Sequence, residues 1–209
     1  MTKIAKALII ANGQSPSNKI VRKLASSANL IVCADGGANH ARRMKIVPDV
    51  ILGDLDSISY ATRLEFKRIP LMLIEDQENT DLEKAIRYCI ERKCQSIDIV
   101  GALGKRIDHT TGALGVLKKF GQTSITLVDD VGKLTLVRKR TRLKTIIGQI
   151  VSLIPLEKCV GIRTKNLKYA LNNETLQLGV REGISNVAIA ANVTISVRRG
   201  TLLVYQFHK

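Results

Sequence analysis

The sequence predicts an α/β domain followed by an all-β domain. Up to residue 130, short apolar runs alternate with amphipathic segments, which is typical of a mainly parallel sheet with helices on both faces. Beyond residue 130, short β-branched segments are separated by glycine and asparagine turns, as in an antiparallel β-sandwich. We therefore expect an N-terminal Rossmann-like domain and a C-terminal sandwich, with the boundary near residues 130–135.

Each predicted strand of the first part is a short apolar run that ends at a turn. These runs cover 7–11, 30–34, 50–52, 71–74, 97–101 and 125–128. The clearest helix begins after Asn79 or Thr80, because the residues that follow place apolar side chains on one helical face. The other predicted helices begin near Pro16 or cover 38–44, 61–67 and 111–120.

The second part reads as short strands throughout. The predicted strands cover 134–137, 145–147, 150–154, 175–178, 193–197 and 202–205. The basic run Arg138–Lys144 lies among them and is interpreted as a solvated hairpin face. A nucleic-acid or phosphate patch is the alternative, although the run lacks the interleaved aromatic residues that stack on bases.

Net charge is the unusual bulk property of this chain of 209 residues. The formal charge is +15, and residues 131–209 alone carry 14 Lys and Arg against 3 Asp and Glu. A basic surface favours anionic partners such as nucleotides, nucleic acid or acidic lipids. Residues 1–6 do not resemble a signal peptide, and no segment approaches the ~20 apolar residues of a membrane span. We expect a cytoplasmic protein.

Four polar turns in the first part each follow a predicted strand. In an open parallel sheet, such turns meet at the carboxyl edge, where ligands bind. The turns are Asp35-Gly36-Gly37, Gly53-Asp54-Leu55-Asp56-Ser57, the segment 75–81 and the segment 101–109.

The side chains of these turns suggest a site for Mg²⁺ and phosphate. Mg²⁺ takes oxygen ligands, usually carboxylates together with substrate phosphates. Asp54, Asp56 and Asp81 are the predicted ligands, with Asp35 or Asp76 as further candidates. Gly101 to Gly104 frees the backbone to approach phosphates, and Lys105 and Arg106 bring positive charge to the same place.

These turns also have interpretations that involve no metal site. The segment that contains Asp54 and Asp56 could be a solvated turn in which Asp56 or Ser57 caps the next helix. An EF-hand is excluded because Ile58 and Ser59 occupy positions that need a ligand and a glycine. The chain also lacks a G-x-x-x-x-G-K-[ST] loop and a G-x-S-x-G elbow.

The ordered set of motifs resembles the thiamine pyrophosphokinase family over almost the whole chain. The residues that carry the resemblance are Asp35–Ala38, Gly53–Ser57, Asp76–Asp81, Gly104–His109, Leu167–Leu171, Gly183–Asn186 and Gly200–Val204. The resemblance implies transfer of the diphosphate of ATP to the hydroxyl of thiamine, with Mg²⁺, to give thiamine diphosphate and AMP. It also implies a homodimer with active sites at the interface.

The resemblance further implies roles for individual residues. Residues 1–132 would form the catalytic domain that binds ATP and Mg²⁺, and residues 133–209 the domain for thiamine binding and dimerisation. The implied roles are Mg²⁺ and diphosphate binding for Asp54, Asp56 and Asp81; nucleotide binding for Asp35, Gly36, Gly37, Gly104, Lys105 and Arg106; catalysis with the phosphates for Arg106 and Asp108; and thiamine binding for Gln77, Thr80, Asp81 and, from the partner subunit, Ser185 and Asn186.

Two alternatives remain open at the level of sequence. A related diphosphokinase would act on another alcohol, such as a hydroxymethylpterin. A basic protein without catalytic activity would bind nucleic acid instead, as the run Arg138–Lys144 suggests.

Overall fold

The computed structural model describes residues 4–208. The chain divides into two compact units, Met1–Asp130 and Val131–Lys209. Residues 1–3 and 209 lie outside the described residues. They are the outer ends of the two predicted domains, and residues 1–3 are also half of the segment 1–6, which does not resemble a signal peptide. Between residues 4 and 208, no helix has the length and apolar character that crossing a membrane requires.

The first unit alternates strands and helices between residues 4 and 130. Its elements are β1 (Lys6–Ile10), α1 (Asn18–Ser27), β2 (Leu30–Ala34), α2 (Gly37–Arg43), β3 (Val50–Gly53), α3 (Tyr60–Glu65), β4 (Leu71–Leu73), α4 (Asp81–Glu91), β5 (Ser96–Val100), α5 (Ile107–Lys119) and β6 (Ser124–Val128). The strands lie in the order β6-β5-β1-β2-β3-β4. Each neighbouring pair is parallel, which confirms the predicted α/β organisation.

The central strand β1 is buried on both faces, whereas the edge strand β4 is exposed. Leu8 and Ile10 of β1 pack in one core cluster with Val21 of α1. Ala7 and Ile9 are fully buried as well. Because successive side chains of a strand point to opposite faces, a continuous apolar run fits only where both faces are covered.

Two helices begin where their capping residues dictate. The Ser59 side chain accepts a hydrogen bond from the Thr62 amide and caps α3, and Thr80 caps α4 in the same way through the Glu83 amide. The expectation that Asp56 or Ser57 caps α3 is therefore wrong. The Ser57 hydroxyl donates to the Asp56 carboxylate at 2.9 Å instead.

The second unit is built from strands. They are β7 (Gly132–Leu136), β8 (Arg140–Lys144), β9 (Ile150–Pro155), β10 (Cys159–Lys165), β11 (Asn172–Leu176), β12 (Gly183–Val187), β13 (Asn192–Ser196) and β14 (Leu202–Phe207). They pair antiparallel in the orders β12-β9-β14-β7 and β11-β10-β13-β8. Both sets contribute to one core, for example through Leu153, Ile162 and Ile195.

The structure corrects the predicted strands of this unit. The predicted strand at 145–147 is absent from the described residues. The strand β8 lies just before that segment and coincides with most of the basic run Arg138–Lys144. Leu143 of β8 packs against the core while the basic residues on either side are exposed, so a strand rich in charge escaped a criterion based on β-branched residues. β10 and β12 were missed because irregular register and a positive φ interrupt their patterns, at Gly161 and Ser185.

We expect Gly37→Ala to destabilise the protein by about 1–3 kcal/mol, because a Cβ at this position would lie 1.9 Å from the Ile10 carbonyl oxygen. Gly115→Ala is the matched control. Its Cβ meets nothing within 4 Å inside α5, so it should stabilise the protein by ~0.5–1 kcal/mol. Urea denaturation measures both, and equal effects of the two substitutions would contradict the assigned crowding at Gly37.

Candidate active site

A cavity of about 610 Å³ lies at the carboxyl edge of the parallel sheet. It is lined by the turns that follow β2, β3, β4 and β5, together with the loop after β1 and the first turns of α4 and α5. The four polar turns therefore meet as parallel pairing requires. The loop after β1 was not anticipated.

An acidic cluster lies in the lining of this cavity. Asp35, Asp54 and Asp81 each offer a carboxylate oxygen, and these oxygens all lie within 4.8 Å of one another. The pKa of Asp35 is raised, mainly because the carboxyl is buried and to a smaller extent because Asp81 carries a like charge. Three carboxylates at this spacing offer the hard oxygen ligands that suit Mg²⁺.

Gly53 allows the cluster to close. Its φ of +140° lies in a region that side chains disfavour, and a Cβ would stand 2.9 Å from the Asp81 carboxylate oxygen and 3.1 Å from Asp35 Cβ. A side chain here would therefore push the three carboxylates apart.

Lys84 is the residue of this cluster that sequence analysis missed. Its ammonium donates to the Asp81 carboxylate at 3.0 Å, and only 5 % of its side chain is exposed. A buried lysine requires a partner, so the Asp81 charge holds it in place. The available signal was its spacing of three residues from Asp81 on the helix that Thr80 caps.

Asp56 lies in the cavity lining but outside the cluster. The intervening Leu55 has a φ of +63°, which turns the chain between the two carboxylates. The loop is fixed from α2, where the Asn39 amide donates to the Ser57 carbonyl at 2.8 Å, and from α3, where Arg63 donates to the Leu55 carbonyl. Asp35, a further candidate in the sequence analysis, therefore joins Asp54 and Asp81 in the cluster, and the metal role of Asp56 stays a prediction.

The glycine-rich loop after β5 packs against the loop after β1. The Gly13 amide donates to the Gly101 carbonyl at 2.6 Å, and a Cβ on Gly13 would lie 2.3 Å from that oxygen. The Lys105 ammonium reaches the Asn12 carbonyl at 3.4 Å. Asn12 and Gly13 are therefore further cavity residues, whose only sequence signal was a turn that follows a strand.

His40 supports the loop after β1 from beneath. This buried imidazole contacts the Arg43 guanidinium at 2.5 Å through Nδ1, and it hydrogen-bonds to the backbone of Asn12 and Gly13. Its pKa is lowered by burial first, and then by the positive charges of Arg43 and Lys105.

Arg106 and Asp108 line the cavity and pair with each other. The guanidinium donates twice to the carboxylate, at 2.5 and 3.1 Å, and this pairing holds the pKa of Asp108 at about 2. Gly104, with a φ of +75°, precedes this pair and turns the loop toward α5.

The turn before α4 places Gln77 and Thr80 in the cavity lining. Asp76 organises this turn by accepting hydrogen bonds from the Glu78 amide at 2.8 Å and the Asn79 side chain at 2.7 Å. These bonds lower the pKa of Asp76.

The remaining predicted residues lie elsewhere. Gly36 and Gly37 are buried behind the loop after β1, where a Cβ would strike Asn12 or the Ile10 carbonyl. Ser185 is exposed on β12 with a φ of +57°. The Asn186 amide bonds the backbone of Tyr169 through both its oxygen and its nitrogen, so it is already occupied.

Two family descriptions match the chain in succession. "Thiamin pyrophosphokinase, catalytic domain" matches residues 21–129, and "Thiamin pyrophosphokinase, vitamin B1 binding domain" matches residues 136–202. Thiamine pyrophosphokinase 2 of Arabidopsis thaliana is 31% identical over 90% of this chain and 81% of its own length. The chain belongs to the thiamine pyrophosphokinase family. This membership confirms the resemblance seen in the motifs.

Other members of the thiamine pyrophosphokinase family match most of this chain in sequence or in fold. Thiamine pyrophosphokinase 1 of Oryza sativa subsp. japonica is 29% identical over 92% of this chain and 83% of its own length. The crystal structure of thiamine pyrophosphokinase from Bacillus subtilis superposes with a TM-score of 0.85, covering 98% of this chain and 99% of that one at 24% identity. At that identity, the structural likeness speaks for the fold alone.

We expect Lys84→Met to lower the free energy of unfolding by about 1–2 kcal/mol without Mg²⁺, since Asp81 loses its charged partner. Added Mg²⁺ should then raise the melting temperature more in the variant than in the wild type, because the cluster carries one more uncompensated negative charge. Lys119→Met is the control, as it breaks an ion pair between Lys119 of α5 and Glu83 of α4, the helix that carries Lys84. An equal response to Mg²⁺ in all three proteins would contradict the role given to Lys84.

Lowering the pH from about 6.5 to 5 should reduce the free energy of unfolding through His40. The unfolded chain takes up a proton near the ordinary histidine pKa of ~6.5, whereas the folded chain resists it until its lowered pKa is reached. This contribution is complete above ~6.5 and declines below it. Chemical denaturation at several pH values measures the slope, which should flatten in His40→Gln; an unchanged slope would show that another group is responsible.

Proposed function

We propose that this chain transfers the diphosphate of ATP to the hydroxyl of thiamine, forming thiamine diphosphate and AMP. The observation that supports this most strongly is the pairing of a carboxylate cluster with a glycine-lined, lysine-bearing loop in one cavity of a chain from this family. Phosphoryl-type transfer needs mainly positioning and charge neutralisation, and this cavity has residues for both.

The acidic cluster is the proposed Mg²⁺ site. Asp54 and Asp81 keep their predicted role, Asp35 joins them, and Asp56 stands at the rim of the same cavity. The chemistry of three clustered carboxylates fits this cation, which would neutralise phosphate charge when bound. Lys84 holds one Asp81 oxygen and thereby orients that carboxylate.

The loops after β1 and β5 are proposed to bind the phosphates of ATP. Their backbone is brought close by Gly13, Gly101 and Gly104, and Lys105 adds a positive charge. Arg106 would exchange part of its pairing with Asp108 for a phosphate oxygen.

The reaction breaks one bond and forms another at the β-phosphorus. The thiamine hydroxyl oxygen bonds to this phosphorus, the bond to the oxygen that bridges the α- and β-phosphorus breaks, and AMP leaves with that oxygen. The hydroxyl proton passes to a base, for which Asp81 or Asp56 is the first candidate. Gln77 and Thr80 would place the alcohol.

The second unit is proposed as the thiamine-binding and dimerisation domain, a β-sandwich that follows a Rossmann-like catalytic domain. Ser185 would reach thiamine from the partner subunit of a homodimer, and Asn186 would position the Tyr169 backbone rather than contact the substrate. Light scattering tests the homodimer, since a monomeric mass under assay conditions would exclude a site shared between subunits. The cytoplasmic location stays a prediction.

A direct assay tests the proposed activity. The protein is incubated with ATP, Mg²⁺ and thiamine, and the expected products are AMP and thiamine diphosphate in equal amounts. If AMP forms with a hydroxymethylpterin but not with thiamine, the related diphosphokinase is the correct assignment.

We expect Asp54→Ala to reduce turnover to background while the fold persists, because the cluster loses one of its three oxygen ligands. Loss of a single charge-stabilising group typically costs ~10²–10³ in rate, and a metal ligand should cost at least that. Glu65→Ala is the control, since it removes an exposed carboxylate of α3 that pairs with Arg42. Turnover retained by the Asp54 variant would remove this carboxylate from the metal site.

A further inference from the structure

A basic face covers one side of the sheet β11-β10-β13-β8. Pairing of β8 with β13 places Arg140, Arg142 and Lys144 opposite Ser196, Thr194 and Asn192. Pairing of β13 with β10 places Arg163 and Lys165 on the other side of Ser196 and Thr194. Partners across a ladder point to the same face, so the five cations share one surface, which we call the basic face.

The alternation of burial confirms the direction of this face. Val193 and Ile195, the neighbours of Thr194 on β13, are fully buried in the core. All five cations are exposed, and the hydroxyl and amide side chains of β13 between them are partly exposed. The basic face is therefore the surface of the sheet that points away from the core of the second unit.

Protection of the sheet edge does not account for these charges. Lysine and arginine are common on edge strands because they discourage pairing with another chain. That reason holds for β8, because β8 is the edge strand of this sheet and pairs there with β13. It does not hold for Arg163, because β10 pairs at this residue with both β11 and β13.

The five cations are not used within the chain. None of them forms an ion pair with a residue between 4 and 208. The contact of Arg163 is with a neutral group, the Asn172 side chain, at 2.8 Å. Their charges are therefore available to an external anion.

The spacing of the cations favours an anion with many charges. Neighbouring strands lie ~4.8 Å apart and alternate residues along a strand ~6.7 Å apart, so the rows on β8 and β10 are separated by about 10 Å. A single phosphate group would reach only one or two of these side chains. A polymer with a phosphate at every residue would reach all five.

We propose that the basic face binds the sugar–phosphate backbone of duplex nucleic acid without reading its bases. Arginine forks match phosphate oxygens, and neutral donors such as Ser196 and Thr194 are common partners of phosphate and sugar. The face has no aromatic side chain on which the bases of a single strand would stack. It also has no exposed apolar side chain of the kind that basic membrane-binding surfaces insert between lipids.

Fluorescence anisotropy with a labelled DNA duplex of about 20 base pairs tests this binding. The face variant is Arg142→Gln/Lys144→Gln/Lys165→Gln. The control variant Lys133→Gln/Lys158→Gln/Arg199→Gln removes the same number of lysines and arginines from exposed positions of the same unit that are not on the basic face. Melting temperatures equal to each other establish that both variants fold. If the face variant does not fold, the double variant Arg142→Gln/Lys165→Gln replaces it.

The wild type should bind the duplex with a slope of log affinity against log salt of about −4.5, if the five cations each neutralise one phosphate. The face variant should lose at least tenfold in affinity and about 2 to 3 of this slope, and the control variant less than threefold. Equal losses in both variants would overturn the proposal, since net charge alone would then explain binding. Absence of duplex binding at low salt would overturn it too, including the case in which the protein binds only phosphatidylserine vesicles.

Discussion

The candidate site depends on holding three like charges together. Two carboxylates about 4 Å apart repel by roughly 4 kcal/mol at an effective dielectric of 20, and Asp35, Asp54 and Asp81 have oxygens within 4.8 Å of one another. Asp35 and Asp54 follow the ends of β2 and β3, and Asp81 is the first residue of α4, so regular structure supplies the rigidity that opposes this repulsion. Lys84 offsets part of it, and the missing side chain of Gly53 leaves the space. The remaining negative potential is what makes the cluster receptive to a cation.

The rigidity of this edge extends one layer beyond the carboxylates. Asn39 and Arg63, from two helices, fix the turn that carries Asp54, and His40 supports the loop that faces it across the cavity. None of these side chains belongs to the acidic cluster. A site whose work is positioning and charge neutralisation depends on such supports as much as on its ligands.

Sequence reasoning reached the sheet edge because apolar strands followed by polar turns have one simple arrangement. It also found Asp54 and Asp81, which occupy the cluster in the structure. It named Asp56 as a ligand and Asp35 only as a further candidate, because membership of the cluster depends on the positive φ of Leu55 and on contacts between strands that are far apart in sequence. The burial of Lys84 could not be predicted for a related reason. It follows from the packing of α4, whereas a lysine in an amphipathic helix ordinarily faces solvent.

The acidic cluster and the basic face show two ways in which a sheet can gather like charges. At the cluster, oxygens within 4.8 Å leave no room for screening, so a glycine and a buried lysine are needed. On the basic face, β13 separates the rows on β8 and β10 by about 10 Å, which exceeds the Debye length of ~8 Å at physiological salt. Repulsion between those rows is therefore weak. The intervening strand places the uncharged side chains of Asn192, Thr194 and Ser196 between the rows, so the surface gathers positive charge without bringing the two rows into contact.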